Sequence, residues 1–452
     1  MTEEEVKTKA FHIFNAALSS VNPYTAVKAR AGDLISFYHS GHIKKVFVIG
    51  FGKASFEMAR AINETLGKII DKGIIITKYG HAKGIAKLDK IRVFEAGHPI
   101  PDGSGVDATK KIMEVLKEAD DSTLVICLIS GGGSALLVAP MEPITLEEKQ
   151  DTTRLLLEAG ADINDVNTVR KHISLVKGGR LAQIAYPARI KSLILSDVIG
   201  DRLHVIASGP TTFDTTTYHN AIEVIKKYRL SDKIPLHVME VLDKGMNGDI
   251  PETLKEKDPV LINTENTIIG SNRIAIAAAE KMAIELGFHT EILTSEIEGE
   301  AKEAGRWLAG IAKAYKEKKE KSEINKPVCL LSGGETTVKV IGNGKGGRNT
   351  ELALAFAMET EGYNGIFLLS AGTDGTDGPT DAAGAYVTGN TIPKAKGLGL
   401  DPLEYLKNND SYNFFKKLGS LFITGPTGTN VMDIQIILIQ NPCGGLFSGS
   451  LT

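Results

Sequence analysis

The feature that most limits what this chain can fold into is an alternation of two patterns. Short apolar runs ending in glycine take turns with stretches of helical periodicity, beginning with residues 44–50 (KKVFVIG) and the helical KASFEMARAINETLG behind them. That rhythm belongs to βαβ units on a largely parallel sheet. It continues through GIIIT (73–77), IRVFEAG (91–97), a helical GVDATKKIMEVLKEA, TLVICLIS (123–130), a helical region over about 145–186, and RIKSLILSDV (189–198). TLVICLIS is apolar throughout, as a strand buried on both faces must be. Further on, SNRIAIAAAEKMAIELG reads as a helix capped by Ser271, and VCLLSGG, TTVKVIG, TELALAFAMET, GIFLLSAG and MDIQIILIQ restart the alternation.

A chain of 452 residues exceeds one ordinary core, and two units are the simplest count. Residues 230–259 are polar and broken by KIP, MNGDIP and KDP, which reads as a linker. The expected domains are therefore a larger one over 1–240 and a smaller α/β one over 241–452, with the cleft between them as the default site. Lys and Arg (52) nearly balance Asp and Glu (55), so no basic field draws nucleic acid or an anionic membrane. Cys127, Cys329 and Cys443 lie far apart without metal-ligand spacing, consistent with buried thiols in a reducing cytosol. The acidic amphipathic start MTEEEVKTKAFHIFNAAL lacks a leader's basic and apolar regions, and no run approaches the ~18 apolar residues of a membrane span. A soluble, cytoplasmic protein is expected, with the charge run at 313–323 as a solvated helix end.

The 47 glycines, above the ~7% of average composition, gather at the carboxyl ends of expected strands, where open parallel sheets bind ligands. GFGKAS (50–55) opens a helix but is no P-loop, since Phe47 stands where the pattern needs glycine and Ala54 replaces its Ser/Thr. It leaves Lys53 at a helix start, either snorkelling into solvent or held there to meet an anion. SGGGSALL (130–137) is an anion nest of Ser130, Gly131, Gly132, Gly133 and Ser134, or simply a tight turn. LSGGETT (331–337) echoes it with Glu335, which would repel a phosphate unless a cation mediates. In SDVIGDRLHVIASGPTT (196–212), Asp197 ends a strand as a cap or as a general base, with Asp201 as competitor. GNGKGGRNTELALAF (342–356) formally holds GxGxxG at Gly342, Gly344 and Gly347, but Lys345 and Arg348 suit discrete anionic charges better than a dinucleotide. SAGTDGTDGPTDAAGA (370–385) offers Asp374, Asp377 and Asp381 as structural Asx turns or as carboxylates around a nucleotide-bridging Mg²⁺.

These motifs, with TGPTGTNVMD (424–433), occur in one order along almost the whole chain and resemble the glycerate 2-kinase family, the last three falling in what looks like its MOFRL domain. The resemblance implies a Rossmann-like α/β/α N-terminal domain, a smaller mixed α/β C-terminal domain, and ATP- and Mg²⁺-dependent phosphorylation of D-glycerate to 2-phosphoglycerate. Carried over by motif, Lys53, Asp197 and Arg348 are the catalytic candidates. Lys53, Arg348 and Ser130 would bind substrate, Gly131, Gly132, Gly133, Ser134, Gly346, Gly347 and Asp374 the nucleotide, and Asp374 and Asp377 the metal. The partners expected are a small hydroxy acid and a nucleotide, with no nucleic acid and no membrane, and a homodimer stays open. Two rivals remain at this point: an NAD(P)H-dependent hydroxypyruvate reductase resting on the GxGxxG, and a non-catalytic nucleotide or sugar-acid sensor.

Overall fold

The computed structural model describes residues 1–82, 88–321 and 324–440, and the chain separates into two compact units. One is Pro23–Ile269; the other joins Met1–Asn22 to the chain from Gly270 onward.

The first unit is built on a 6-stranded sheet of β1 (Lys45–Phe51), β2 (Lys72–Lys78), β3 (Ile91–Ala96), β4 (Thr123–Ile129), β5 (Arg189–Leu195) and β6 (Thr264–Gly270). Their order is β3-β2-β1-β4-β5-β6, and β3 through β5 run parallel. Side chains of a strand alternate between faces, and in β1 and β4 both faces are apolar. Phe47, Ile49, Val125 and Cys127 join Ala108 and Ile112 of the helix Gly103–Lys117 on one side. Val46, Val48, Leu124 and Ile126 meet Met58 and Ile62 of the helix Ser55–Leu66 on the other. The result is an α/β/α sandwich whose strand order reverses between β1 and β4, the crevice where doubly wound sheets take ligands.

The helical region expected at 145–186 resolves into Leu146–Glu158, Ile163–His172 and Arg180–Ala185. The first two, with the helices Tyr218–Lys227 and Leu236–Met246, enclose a core of their own around Leu156, Val166, Val169 and Tyr218, while Leu181, Ala182 and Ala185 of the third join the core against the sheet. Residues 230–259 are therefore not a linker: Val238, Val241 and Leu242 are buried there, and a Cβ on Gly245 would overlap the Tyr218 ring. The expected division at 240/241 differs from the observed one because β6 completes the first sheet, moving the boundary to 269/270.

The second unit holds β7 (His289–Ile297), β8 (Val328–Gly334), β9 (Ile366–Gly372), β10 (Gly384–Thr388), β11 (Leu421–Phe422) and β12 (Asp433–Ile439) in the order β11-β10-β9-β12-β8-β7. The sheet is mixed: β7 and β8 are parallel, and β12 runs antiparallel to both β8 and β9. The amphipathic start of the chain becomes the helix Glu3–Ser20, opened by a Thr2/Glu5 capping box. It belongs to this second unit and not to the first, because Phe11 and Phe14 pack on Phe422 with ring centroids 4.6 and 5.2 Å apart.

Two expectations change locally. TTVKVIG (336–342) forms no strand beyond one bridge between Thr337 and Glu300, and Val340 and Ile341 are exposed. In the charge run, Lys316 and Lys319 are buried along the helix Ala301–Glu320, and their ammonium groups donate to the carbonyls of Gln440 and Lys326 at 3.0 and 2.8 Å. The run's last two residues, Ser322 and Glu323, lie outside the described residues, as does Cys443, while Cys127 and Cys329 are buried free thiols. Among the described residues no helix is long and apolar enough to cross a membrane.

Candidate active site

In the first unit the turns after β1 and β4 are bonded to each other across the point of strand-order reversal. Lys53 N–H donates to the Gly131 carbonyl at 2.9 Å, Ala54 N–H to Ser130 Oγ at 3.0 Å, and Ser130 N–H to the Phe51 carbonyl at 3.1 Å. Ser130, read as a substrate contact, is 1% exposed and acts as the staple between the two turns.

The run of three glycines has a packing cause at each position. A Cβ on Gly131 would overlap Oδ2 of Asp197, which leaves the end of β5 pointing across this turn. Gly132 has φ +81°, and a Cβ there would lie 2.8 Å from the His98 ring and 3.3 Å from Lys53 Cε. A Cβ on Gly133 would come within 3.0 Å of Ala207 Cβ and Phe51 Cδ2. Lys53, His98 and Asp197 thus converge on one bend. Among the described residues the N–H groups of Gly131 and Gly132 have no hydrogen-bond partner.

Burial pushes the Asp197 carboxyl above its usual range, against the pull of the Lys53 charge. Burial also lowers His98, assisted by the charges of Lys53, Lys78 and His81, to about 4. His98 is therefore neutral at pH 7, and a neutral imidazole can both donate and accept.

The floor of the bend is polar and strained. Ala207 and Ser208 have φ +50° and +61°, a conformation that non-glycine residues hold only when their surroundings impose it. Ser208 Oγ lies 2.8 Å from Ser134 Oγ and donates to Asn167 Oδ1 at 3.0 Å. Lys177 Nζ donates to the Ser134 carbonyl at 2.9 Å.

The second unit has its own cluster, at the carboxyl ends of β8 and β9. Asp433, first residue of β12, is in register with Gly334 and Gly372, the last residues of those two strands. Its carboxylate takes Arg348 in a two-point grip, Nε to Oδ2 at 2.6 Å and Nη2 to Oδ1 at 3.0 Å, while Nη1 reaches Glu335 Oε1 at 2.7 Å. Burial works against the Arg348 charge, but Asp433 and Glu335 outweigh it and raise its pKa above the ordinary value.

Arg348 opens the helix Arg348–Glu359, and Asp377 caps that helix from a distance in sequence. Its carboxylate accepts from Asn349 N–H and Thr350 N–H, both at 2.9 Å, and from Thr350 Oγ1 at 2.8 Å. Burial pushes Asp377 up to about 6 in spite of these bonds. A Cβ on Gly347 would overlap that carboxylate, which accounts for glycine there, and one on Gly346 would overlap Ser411 Oγ. Asp374 makes an Asx turn, the structural alternative to the metal role, accepting from Thr376 N–H at 2.9 Å.

The donors do not fit a metal held by the protein itself. Asp377 is spent on the helix cap, Asp374 is engaged in its own turn, and among the described residues no three His, Cys, Asp or Glu side chains are grouped to hold an ion.

The GxGxxG segment is likewise occupied. The N–H groups of Ile341 and Gly342 both donate to Asn409 Oδ1 at 2.9 Å, Gly344 N–H to the Asn408 carbonyl at 2.9 Å, and Lys345 N–H to Asp410 Oδ1 at 2.8 Å. The strand that a dinucleotide fingerprint requires before it is absent.

The reading from sequence missed His98, Lys177 and Asp433. His98 had a usable signal, a histidine directly after an expected strand, where the other candidates also lie. Asp433 had a weaker one, an acid heading a strand that is apolar but for Gln435.

A family model described as a domain of unknown function, DUF4147, matches residues 9–243, and the MOFRL family model matches residues 328–433. The chain is 45% identical to a D-glycerate 2-kinase of Thermotoga maritima over 96% of its length and 99% of that protein's. A crystal structure of a glycerate kinase from Thermotoga maritima superposes with a TM-score of 0.88, covering 97% of this chain and 100% of that one. A relative from Agrobacterium vitis, 40% identical over 94% of this chain and 93% of its own, is provisionally named a hydroxypyruvate reductase.

Proposed function

The chain belongs to the glycerate 2-kinase family, and we propose that it transfers the terminal phosphoryl group of ATP to the 2-hydroxyl of D-glycerate, giving 2-phosphoglycerate and ADP. The observation that carries the chemistry is the placement of Lys53 and Asp197 over two adjacent glycines whose N–H groups have no partner among the described residues.

Phosphoryl transfer needs in-line positioning and neutralisation of the charge on the equatorial oxygens more than covalent help. Asp197 is the group to take the proton of the 2-hydroxyl as its oxygen forms the new bond to phosphorus and ADP leaves. A carboxyl raised by burial is better matched to that task than an ordinary one. Lys53 and the N–H groups of Gly131 and Gly132 are the donors for the transferring group. His98, neutral and beside Gly132, adds a donor there without a charge. Arg348 recognises the glycerate carboxylate or the phosphoryl group by exchanging its contact with Glu335, the more exposed of its two acidic partners. Gly346, Gly347 and Asp374 are assigned to the nucleotide. The nucleotide would be taken as its Mg²⁺ complex, the metal supplying charge neutralisation at the phosphates without a ligand set from the protein. The setting is a small-molecule enzyme of the cytoplasm.

The reductase reading lacks support in the geometry, since the segment on which it rested has its backbone donors occupied. One assay separates the two. Purified protein should release ADP with D-glycerate, ATP and Mg²⁺, with 2-phosphoglycerate identified by NMR. NADH oxidation with hydroxypyruvate, and no ADP release with any hydroxy acid, would overturn the assignment.

A further inference from the structure

Buried cations in the helical part of the first unit are mostly compensated. Lys171 is paired with Asp214, and Arg180 donates to the Lys171 carbonyl, Tyr218 Oη and the Pro251 carbonyl. Three neighbouring cations, Lys149 and Lys177 buried and Arg170 partly exposed, are paired with no acid among the described residues. Lys149, on the helix Leu146–Glu158, is 4% exposed, and its Nζ has no hydrogen-bond partner among the described residues. Arg170, on the helix Ile163–His172, makes one hydrogen bond among the described residues, Nε to Thr153 Oγ1 at 3.4 Å. Thr153 in turn donates to the Lys149 carbonyl at 3.0 Å, so the guanidinium lies one helical turn from Lys149. Lys177, fully buried, spends its protons on the Ser134, Leu137 and Ala207 carbonyls and on Ser134 Oγ.

Burying unpaired positive charge is costly unless an anion completes the set. An anion suited to this set would be small, multiply charged and rich in acceptors. An ammonium beside a guanidinium fork matches the tetrahedral oxygens of a phosphate better than the single plane of a carboxylate.

We propose that Lys149 and Arg170, backed by Lys177, form an oxyanion seat beside the 130–137 turn that takes a phosphate group. The seat adjoins the reacting cluster on two sides. Lys177 holds the carbonyls of that turn, and Gln150, next to Lys149, donates to the Pro101 carbonyl at 2.6 Å in the loop that follows His98. The titration of Lys149 and Lys177 agrees with a place suited to negative charge. Burial, with Arg170 near, pulls the Lys149 ammonium down to about 7, and Lys177 is lowered by burial and by both neighbours. A bound phosphate would return Lys149 to its charged form.

The test is binding of inorganic phosphate to the full chain, followed by ³¹P NMR titration and calorimetry. Wild-type protein should bind it, Lys149→Met should weaken binding tenfold or more, and Lys318→Met, at an exposed lysine, should leave it unchanged. Arg170→Gln is read the same way if the Lys149 variant does not fold. Wild-type protein that fails to bind phosphate, or a folded variant that binds it as well as wild type, overturns the seat. Repeating the titration with 2-phosphoglycerate and with a non-hydrolysable ATP analogue identifies the source: the ligand whose affinity falls in Lys149→Met owns the seat, and free phosphate owns it if neither falls. Phosphate binding needs no turnover, so this outcome and that of the kinase assay are independent.

Discussion

Arg348 and Asp433 form a buried, two-point ion pair at the junction of three strands, with the acid 1% exposed and the arginine only partly so. Removing the arginine leaves a buried carboxylate without compensation, a loss of about 3–5 kcal/mol in comparable cases. Arg348→Ala should therefore lose stability as well as activity. The double change Arg348→Ala with Asp433→Asn should recover most of the stability and none of the activity, as urea unfolding and steady-state kinetics would read it. A single mutant as stable as wild type would mean that the pair is not buried in solution.

Lys53 has no such structural burden. Lys53→Met should fold normally and lower kcat/KM by ~10²-fold, the usual cost of one donor to a developing charge. The acid limb of the pH profile of kcat/KM should also move upward, because Asp197 loses the neighbouring charge that favours its ionised form. An unmoved limb would remove Asp197 from the proton-transfer role.

His98 couples the site to acid lability. Its folded pKa of about 4 lies below the ordinary 6.5, so the unfolded chain binds the extra proton first. Its contribution to stability is present above pH 6.5 and drains away as pH falls towards 4. A His98→Gln variant should unfold with a flatter dependence on pH across that window while matching wild type at pH 7.5. Thermal melts in a buffer series would show an unchanged slope if the ring is not held neutral.

For Asp377 the expected consequence is mechanical. Asp377→Asn weakens the cap on the helix Arg348–Glu359 and should lower stability by about 1 kcal/mol. The Mg²⁺ concentration giving half-maximal activity should stay where it is in wild type. A rise of tenfold or more would restore Asp377 as a metal ligand.

Much of the first unit was legible because its strands are short, largely apolar and flanked by glycine, a pattern that few other structures produce. KKVFVIG, GIIIT, IRVFEAG and TLVICLIS all became strands of the first sheet within a residue or two. TTVKVIG was misread for a physical reason: it has strand-like alternation, but Asn408, Asn409 and Asp410 bind the neighbouring N–H groups, and no neighbouring strand competes for them. The tract 230–259 looked like a linker because its polar residues are plain in sequence, whereas the buried stripe of Val238, Val241 and Leu242 takes effect only against Tyr218 and its neighbours. Asp197 and Arg348 could be singled out in advance, but not what each faces. The acid gripping Arg348 lies 85 residues further along, a distance that no local pattern spans.

The leading helix and the last described strand belong to the same unit, with the whole of Pro23–Ile269 inserted between them. During synthesis the inserted unit has all its strands early and can fold while the ribosome is still working. The helix Glu3–Ser20, made first, lacks Phe422 as a partner for Phe11 and Phe14 until that residue is made. The mixed sheet waits longer still, because β12 is its seam and emerges last. Until then Arg348 has no Asp433, so a stalled nascent chain would carry a finished first lobe and no working arginine.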